Sequence, residues 1–267
     1  MHHYFMLFVV AVTVVLAASC AVPQTGAAPA PAGAHTTYTY VIVHGAWGGA
    51  WDWKEVDHRL RADGHDVYRP TLTGQGERVH LATPDIDLNT HITDVENVIK
   101  FENLHNIILV GHSYGGMVIT GVAERLADRI KAMVYIDAIL PEDGESVNTA
   151  APGQRAVPTR VVTNGFINPT WAVPADPPHD VPMPAKTLSQ IITLKNPAAR
   201  KIPAVYLLLV DPGKTPEQDA FYGYSQRAKS HGMTVWSFES DHNAQRSHIP
   251  QLVKALEDAP GAAKIGP

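Results

Sequence analysis

A short glycine-rich motif, GHSYGG at residues 111–116, places a serine where it could act as a nucleophile. Ser113 is the centre of a Gly-x-Ser-x-Gly pattern that directly follows the apolar run Ile107–Val110. Apolar residues at helical spacing then predict a helix that begins near Gly115. A tight turn between a strand and a helix strains the serine backbone, exposes the hydroxyl, and leaves room only for small neighbours two positions away. We therefore predict that Ser113 is a catalytic nucleophile.

Serine is a weak nucleophile without a base, and two histidines late in the chain could accept its proton. His242 directly follows the predicted strand Thr234–Phe238, so it would lie at the same sheet edge as Ser113. His248 lies at the start of the predicted closing helix instead. The loop position favours His242 over His248. We expect His112, beside the serine, to support the site or to lie on the surface.

An acid is needed to hold the histidine in the correct tautomer and to stabilise its charged form. Asp211 and Asp137 each directly follow a predicted strand, whereas Asp241 adjoins His242 and is expected to point away from it. We favour Asp211, after the penultimate strand, and keep Asp137 and a site without an acid as alternatives. Asp211 could also be a simple turn residue before Pro212 and Gly213.

Backbone N–H groups could stabilise the negative charge that develops on an attacked carbonyl oxygen. The first predicted strand ends at the glycine-rich turn HGAWGG, residues 44–49, which makes Ala46 and Tyr114 the natural pair of donors. Glycines here could also cradle a phosphate, but neither the GxGxxG nor the GxxxxGK[ST] spacing is present, which disfavours nucleotide binding. Trp47 could line the pocket.

Strands alternate with helices along the chain, which predicts a parallel sheet with helices on both faces. The predicted strands are Tyr38–Val43, His65–Arg69, Ile107–Val110, Ala132–Ile136, Val205–Val210 and Thr234–Phe238. The predicted helices are Trp51–Ala62, Asn89–Glu102, the one from Gly115, and Pro250–Leu256. Residues 37–140 and 204–262 would form this core. Residues 141–203 hold eleven prolines and are expected to form a lid, with a disordered insertion as the alternative.

Composition narrows the class of protein. The 267 residues suffice for one large α/β domain, and 21 basic against 26 acidic residues give a net charge of −5, which argues against nucleic-acid binding. The single cysteine, Cys20, excludes a disulfide framework and a zinc or iron–sulfur cluster. We expect no cofactor and no metal.

The amino terminus has the features of a targeting segment. Phe5–Ala18 is nearly continuous apolar sequence, too short for a spanning helix, and small residues follow it. We predict a signal peptide over residues 1–21, export to the periplasm or the outside of the cell, and an Ala/Pro/Gly-rich tether over residues 22–36. Leu16–Cys20 also resembles an imperfect lipobox, so Cys20 could carry a lipid anchor, the one case in which a membrane would be a partner.

Four motifs together resemble the α/β-hydrolase superfamily, in particular its small serine esterases related to plant methyl-ester esterases, hydroxynitrile lyases and bacterial pyrethroid-type carboxylesterases. They are HGAW at residues 44–47, TLTGQGER at residues 71–78, GHSYGGM at residues 111–117 and DAILPEDG at residues 137–144. The resemblance implies a mainly parallel, doubly wound sheet with a lid inserted after the sixth strand. It also implies that Ser113, His242 and Asp211 form the catalytic triad, with Ala46 and Tyr114 as oxyanion donors.

The implied activity is hydrolysis of carboxylic esters through an acyl-enzyme on Ser113. The many prolines and the absence of charge clusters in the lid predict small to medium apolar substrates. The hydroxynitrile lyases carry a threonine at the position of Gly45 and a lysine at the position of Asn243. The absence of both residues here favours ester hydrolysis over cyanohydrin cleavage. Lyase activity, acyl transfer and a non-catalytic ligand-binding role remain alternatives. The stretch from Asp211 to His242 is slightly longer than is usual for the family.

Overall fold

A six-stranded parallel sheet forms the centre of the protein in a computed structural model that describes Met1 and residues 36–152 and 160–263. Its strands are β1 (Thr39–Val43), β2 (Asp66–Tyr68), β3 (Ile107–His112), β4 (Ile130–Ile136), β8 (Ala204–Val210) and β9 (Thr234–Glu239). They lie in the order β2-β1-β3-β4-β8-β9, and every neighbouring pair is parallel. The predicted parallel sheet is confirmed, and each predicted strand agrees with the observed one to within two residues at either end.

Helices cover both faces of this sheet, as predicted. The α-helices of the described residues are α1 (Lys54–Ala62), α2 (Leu88–Phe101), α3 (Gly115–Leu126), α4 (Lys186–Ser189), α5 (Tyr222–Ser230), α6 (Ala244–Ser247) and α7 (Ile249–Ala262). Alternate strand residues point to opposite faces, so Val41 packs with the α2 and α3 side while its neighbour Ile42 packs with the α1 and α7 side. Strands β3 and β8 are buried at every position because both faces are covered.

The segment 141–203 is inserted between β4 and β8, so it follows the fourth strand of the sheet in chain order and not the sixth. It contains a small antiparallel sheet of β5 (Val162–Thr163), β6 (Phe166–Ile167) and β7 (Met183–Pro184), which the sequence did not predict. Ile167 and Met183 are buried in the same hydrophobic cluster as the main sheet. The small sheet of the inserted segment is therefore packed on the core through these two residues.

The predicted signal peptide, the site of lipidation at Cys20 and the tether to residue 35 lie outside the described residues. The described residues from Thr37 onward form one compact unit. Within the described ranges, no helix has the length and apolar character needed to cross a bilayer.

Candidate active site

Ser113 lies in a strained turn between β3 and α3. Its φ angle is +53°, in the left-handed region that side chains other than glycine rarely adopt. Backbone hydrogen bonds hold it there: its N–H donates to the Ile136 carbonyl over 3.1 Å, and its carbonyl accepts from the Ile139 N–H over 3.0 Å. Strain of this kind persists only where the surroundings enforce it, and it clusters at functional sites.

Three glycines around Ser113 allow this turn because the backbone packs too closely for a side chain. A Cβ atom on Gly111 would lie 2.7 Å from the Gly115 carbonyl oxygen, and one on Gly115 would lie 2.6 Å from the Val43 oxygen. A Cβ atom on Gly116 would come within 2.2 Å of the Ile139 oxygen. These contacts give the physical reason for the small residues that the motif contains.

Gly116→Ala is expected to destabilise the protein by about 2–3 kcal/mol, since the new methyl group overlaps a backbone oxygen that cannot rotate away. Chemical denaturation of the purified variant measures this. Gly261→Ala is the matched control, because Gly261 also lies in a helix but has nothing within 4 Å of the position that a Cβ atom would take. Equal stability of the two variants would contradict the close approach at Gly116.

His242 is paired with Asp137, not with Asp211, which the sequence favoured. His242 Nδ1 lies 2.6 Å from Asp137 Oδ2. Asp211 Oδ2 instead accepts a hydrogen bond from Lys214 Nζ over 2.6 Å, and the side chain of Asp211 is 42% exposed. The choice of Asp211 is therefore corrected to Asp137, the alternative at the end of the neighbouring strand β4.

Asp137 is fixed by the sheet that surrounds it. Its N–H donates to the Leu207 carbonyl over 2.8 Å, its Oδ1 accepts from the Leu209 N–H over 3.2 Å, and its φ angle of +43° is again left-handed. Burial raises the pKa of Asp137 to about 6, and the hydrogen bond from His242 opposes that shift. The negative charge of the buried Asp219 raises the pKa further.

Asp219→Asn is expected to move the acidic limb of the activity profile to lower pH. The substitution removes a negative charge that favours protonation of Asp137, so the His242–Asp137 pair stays in its working form to a lower pH. The amide oxygen can still accept the hydrogen bond that the Phe221 N–H donates to Asp219. The pH dependence of kcat/KM measures the shift, and a limb that moves to higher pH would contradict this electrostatic coupling.

Two neighbours position the His242 ring and its loop. His112 Nε2 donates to the His242 carbonyl over 2.8 Å, and the two imidazole rings are 4.6 Å apart. Burial lowers the pKa of His112 well below its usual value, so His112 is a neutral donor. The Phe221 ring stacks on His242 at 4.8 Å and 12° between planes. His112 therefore supports the site, and the rival base, His248, lies against Ser240 Oγ at 3.0 Å.

The two predicted oxyanion donors belong to two turns, Ala46 to the turn after β1 and Tyr114 to the serine turn itself. Neither the Ala46 N–H nor the Tyr114 N–H donates to an acceptor among the described residues. Tyr114 directly precedes α3, whose amino-terminal end favours negative charge. Its side chain is anchored separately, since its hydroxyl donates over 2.9 Å to Nδ1 of His91. Burial lowers the pKa of His91 to about 3, so that ring is neutral and its Nε2–H donates to the Thr73 carbonyl.

Ser113 and His242 open onto one cavity of about 260 Å³, which we call the serine cavity. Its lining includes Ala46, His112, two tryptophans (Trp47 and Trp171) and three charged residues (Asp52, Asp180 and Arg246). The inserted segment contributes Trp171 and Asp180, neither of which the sequence had placed at the site. A larger cavity of about 340 Å³ between β4, the inserted segment and the end of α5 contains none of the predicted site residues.

The described residues contain no group of three or more His, Cys, Asp or Glu side chains that could hold a metal ion. What the serine cavity brings together is a strained serine, a histidine bound to a buried carboxylate, and a backbone N–H group beside them. This set of groups can carry out nucleophilic attack on a carbonyl with proton transfer through an imidazole.

Similar proteins include several named esterases. A carbendazim hydrolyzing esterase from Nocardioides sp. (strain SG-4G) is 50% identical over 122 residues, which cover 46% of this chain and 50% of that protein. The pFDCC methylesterase of Arabidopsis thaliana is 28% identical over 206 residues, which cover 66% of this chain and 77% of that protein. The chain thus spans only half of the first of these relatives.

Solved structures agree with the observed architecture. An extracellular alpha/beta-hydrolase from a Paenibacillus species superposes with a TM-score of 0.67 at 26% identity, covering 85% of this chain and 99% of that one. A pyrethroid hydrolase from Sphingobium faniae gives a TM-score of 0.65 at 21% identity, over 84% and 97% of the two chains, and so shares the fold. The sequence profile of the alpha/beta hydrolase family matches residues 40–259. This chain therefore belongs to the alpha/beta hydrolase family.

Proposed function

We propose that the protein hydrolyses carboxylic esters through an acyl-enzyme on Ser113. The observation that carries the proposal is that His242, which is paired with Asp137, lines the same cavity as the strained Ser113. The esterase and methylesterase names of the relatives support it. Methyl esters and methyl carbamates are accordingly the first substrates to test.

The reaction begins when His242 Nε2 takes the proton from Ser113 Oγ, which attacks the ester carbonyl carbon. Asp137 holds Nδ1–H and stabilises the imidazolium that forms. The Ala46 and Tyr114 N–H groups stabilise the oxyanion; such a donor is typically worth about 3–4 kcal/mol. The carbon–oxygen bond to the alcohol then breaks and the alcohol leaves with the proton from His242. Water, deprotonated by His242, then attacks the acyl carbon. The bond from that carbon to Ser113 Oγ breaks, His242 returns the proton to Oγ, and the acid leaves.

The residue at position 45 favours hydrolysis over cyanohydrin cleavage. Gly45 has no side chain that could offer a hydroxyl to a cyanohydrin, and a Cβ atom there would be tightly packed, 3.2 Å from Ser113 Cβ and 3.1 Å from His112 Nδ1. Asn243 lines the cavity and supplies no cation for a departing cyanide. Acyl transfer differs from hydrolysis only in the second nucleophile, so product analysis with added alcohol separates the two.

Active-site labelling together with an ester panel tests the proposed function. A fluorophosphonate probe should attach to Ser113, identified by peptide mass spectrometry, and methyl esters should be turned over with release of methanol. Prior labelling should abolish that turnover. No labelling of Ser113 would favour the non-catalytic ligand-binding alternative, and cyanide release from mandelonitrile without ester turnover would favour the lyase.

We also propose that the protein is exported, on the strength of the apolar segment Phe5–Ala18 and the small residues after it. Cell fractionation and amino-terminal sequencing of the mature chain test this. Cys20→Ser should leave a free secreted form unchanged, and it should release the protein from the membrane if Cys20 carries a lipid. Recovery of the intact, uncleaved chain in the cytoplasm would contradict export.

A further inference from the structure

One guanidinium in the serine cavity is shared between two carboxylates. Arg246 Nε donates to Asp52 Oδ1, and Arg246 Nη2 lies 3.7 Å from Asp180 Oδ1. Asp52 is 7% exposed and also accepts from Gln245 Nε2 over 2.7 Å, so it is satisfied within the protein. Two acidic side chains and one basic side chain leave this wall of the cavity with a net charge of −1.

Asp180 is the carboxylate that remains open to a ligand. Its Oδ2 accepts from Trp171 Nε1 over 2.8 Å, whereas no described residue lies within hydrogen-bonding distance of Oδ1 as a donor. The side chain is only 13% exposed, and it faces the cavity that Ser113 and His242 line. A carboxylate oxygen in such a place gains most from a ligand that donates a hydrogen bond, above all from a charged donor.

The groups around Asp180 would fix a flat ring beside it. Trp171, which donates to Asp180, meets Trp47 edge to face at 5.2 Å between ring centroids. The Val181 N–H donates to the Trp47 carbonyl over 2.8 Å, so Asp180 is tied to the turn that carries Ala46. Asp180 is thus held in a fixed position relative to Ala46, the proposed oxyanion donor, and the rings of Trp171 and Trp47 lie beside it.

We propose that Asp180 determines specificity and that the serine cavity selects esters whose ring carries a cationic or N–H-donating group, and disfavours esters that carry a carboxylate. The inference rests on the proposed function for its consequence in turnover. A planar amidinium would place two N–H groups toward Oδ1, and the aromatic walls would accept its ring face or edge. A substrate carboxylate would meet the negative charge instead.

Binding of three ligands of nearly identical shape tests the inference without any turnover. Benzamidine, benzamide and benzoate differ in charge and in N–H donors, and calorimetry with the wild-type protein measures their Kd values. We expect benzamidine to bind at least tenfold more tightly than benzoate, with benzamide between them. D180N should weaken benzamidine by about tenfold and benzamide by less than twofold, because an asparagine oxygen still accepts from Trp171.

Two further variants separate the local contact from general charge and from misfolding. D176N removes the same charge from the same segment at an exposed position and should leave all three Kd values unchanged. D180E keeps the charge and should retain the preference for benzamidine. Equal binding of benzamidine and benzoate by the wild type would overturn the inference, and so would a preference that survives D180N or one that D176N also removes.

Turnover then shows whether the same contact selects substrates. Methyl 4-amidinobenzoate, methyl 4-carbamoylbenzoate and monomethyl terephthalate should rank in that order of kcat/KM, and D180N should flatten the ranking. Labelling of Ser113 without selective benzamidine binding would defeat this inference and leave the proposed function standing. Benzamidine binding that depends on Asp180, without labelling of Ser113 and without ester turnover, would support this inference and contradict the proposed function.

Discussion

Ser113→Ala is expected to lower kcat for a methyl ester by on the order of 10⁶-fold, since no acyl-enzyme can form without the hydroxyl. Residual turnover should come only from substrate binding and the two backbone donors. The alanine side chain is smaller than serine and the flanking glycines are unchanged, so the unfolding temperature should stay within a few degrees of the wild type. Steady-state kinetics on an activated ester measures the effect.

Ser189→Ala is the matched control for that substitution. Ser189 is exposed at the end of α4 and should be replaceable without effect on kcat. Fluorophosphonate should label the Ser189→Ala protein fully and the Ser113→Ala protein not at all. Ester turnover by Ser113→Ala within tenfold of the wild-type rate would end the proposal of a serine nucleophile.

Asp137→Asn is expected to lower kcat by about 10⁴-fold, whereas Asp211→Asn should leave it within a factor of two. The amide cannot stabilise the imidazolium, and its NH₂ group would favour the wrong tautomer of His242, whose Nδ1 lies 2.6 Å from Asp137 Oδ2. Asp211 is paired with Lys214 and its side chain is 42% exposed, so the ion pair and solvent screen its charge. The pair of variants decides between the two strand-end aspartates, and a larger loss in Asp211→Asn would reverse the assignment.

The stability of Asp137→Asn separates a catalytic effect from a structural one. Burial raises the pKa of Asp137 to about 6 in the folded protein, above the ordinary value of 3.8 that applies to the unfolded chain. The unfolded chain therefore ionises more readily, and this carboxyl costs stability above pH 6; the cost disappears as the pH falls below about 4. At pH 8 the Asp137→Asn variant should therefore have an unfolding temperature equal to or higher than that of the wild type, although its activity is lost. A protein that unfolds more easily at pH 8 would assign Asp137 a mainly structural role.

The serine turn could be predicted from the sequence because its determinants are local. Gly111, Gly115 and Gly116 are required by backbone contacts within or next to the turn, so they are visible as a motif. The strands and the amphipathic helices could likewise be predicted from the spacing of their apolar residues. Helix α5 was missed because Ser225 and Ala228 are its buried positions, and neither gives an apolar stripe.

The acid could not be chosen from the sequence because two aspartates meet the same local criterion. Asp137 and Asp211 each follow a sheet strand, and β4 and β8 are neighbours in the sheet. Which one the His242 loop meets is decided by contacts far apart in the chain, such as the bond between His112 and the His242 carbonyl. Asp180 could not be predicted as a site residue for a similar reason. It lies in a proline-rich stretch with no periodic pattern, and only tertiary packing brings it to the serine cavity.

The attachment of serine and acid to two adjacent strands has a consequence for how this scaffold can vary. Residues 113 and 137 follow β3 and β4, whose backbone pairing sets the spacing between them. An acid placed after β8 would require one fixed geometry of the connection at positions 211–218. Because the acid follows β4 instead, this connection does not have to keep that geometry. We expect insertions and substitutions in this connection to be tolerated during evolution. The same connection is a place where new recognition loops could be introduced without a loss of turnover.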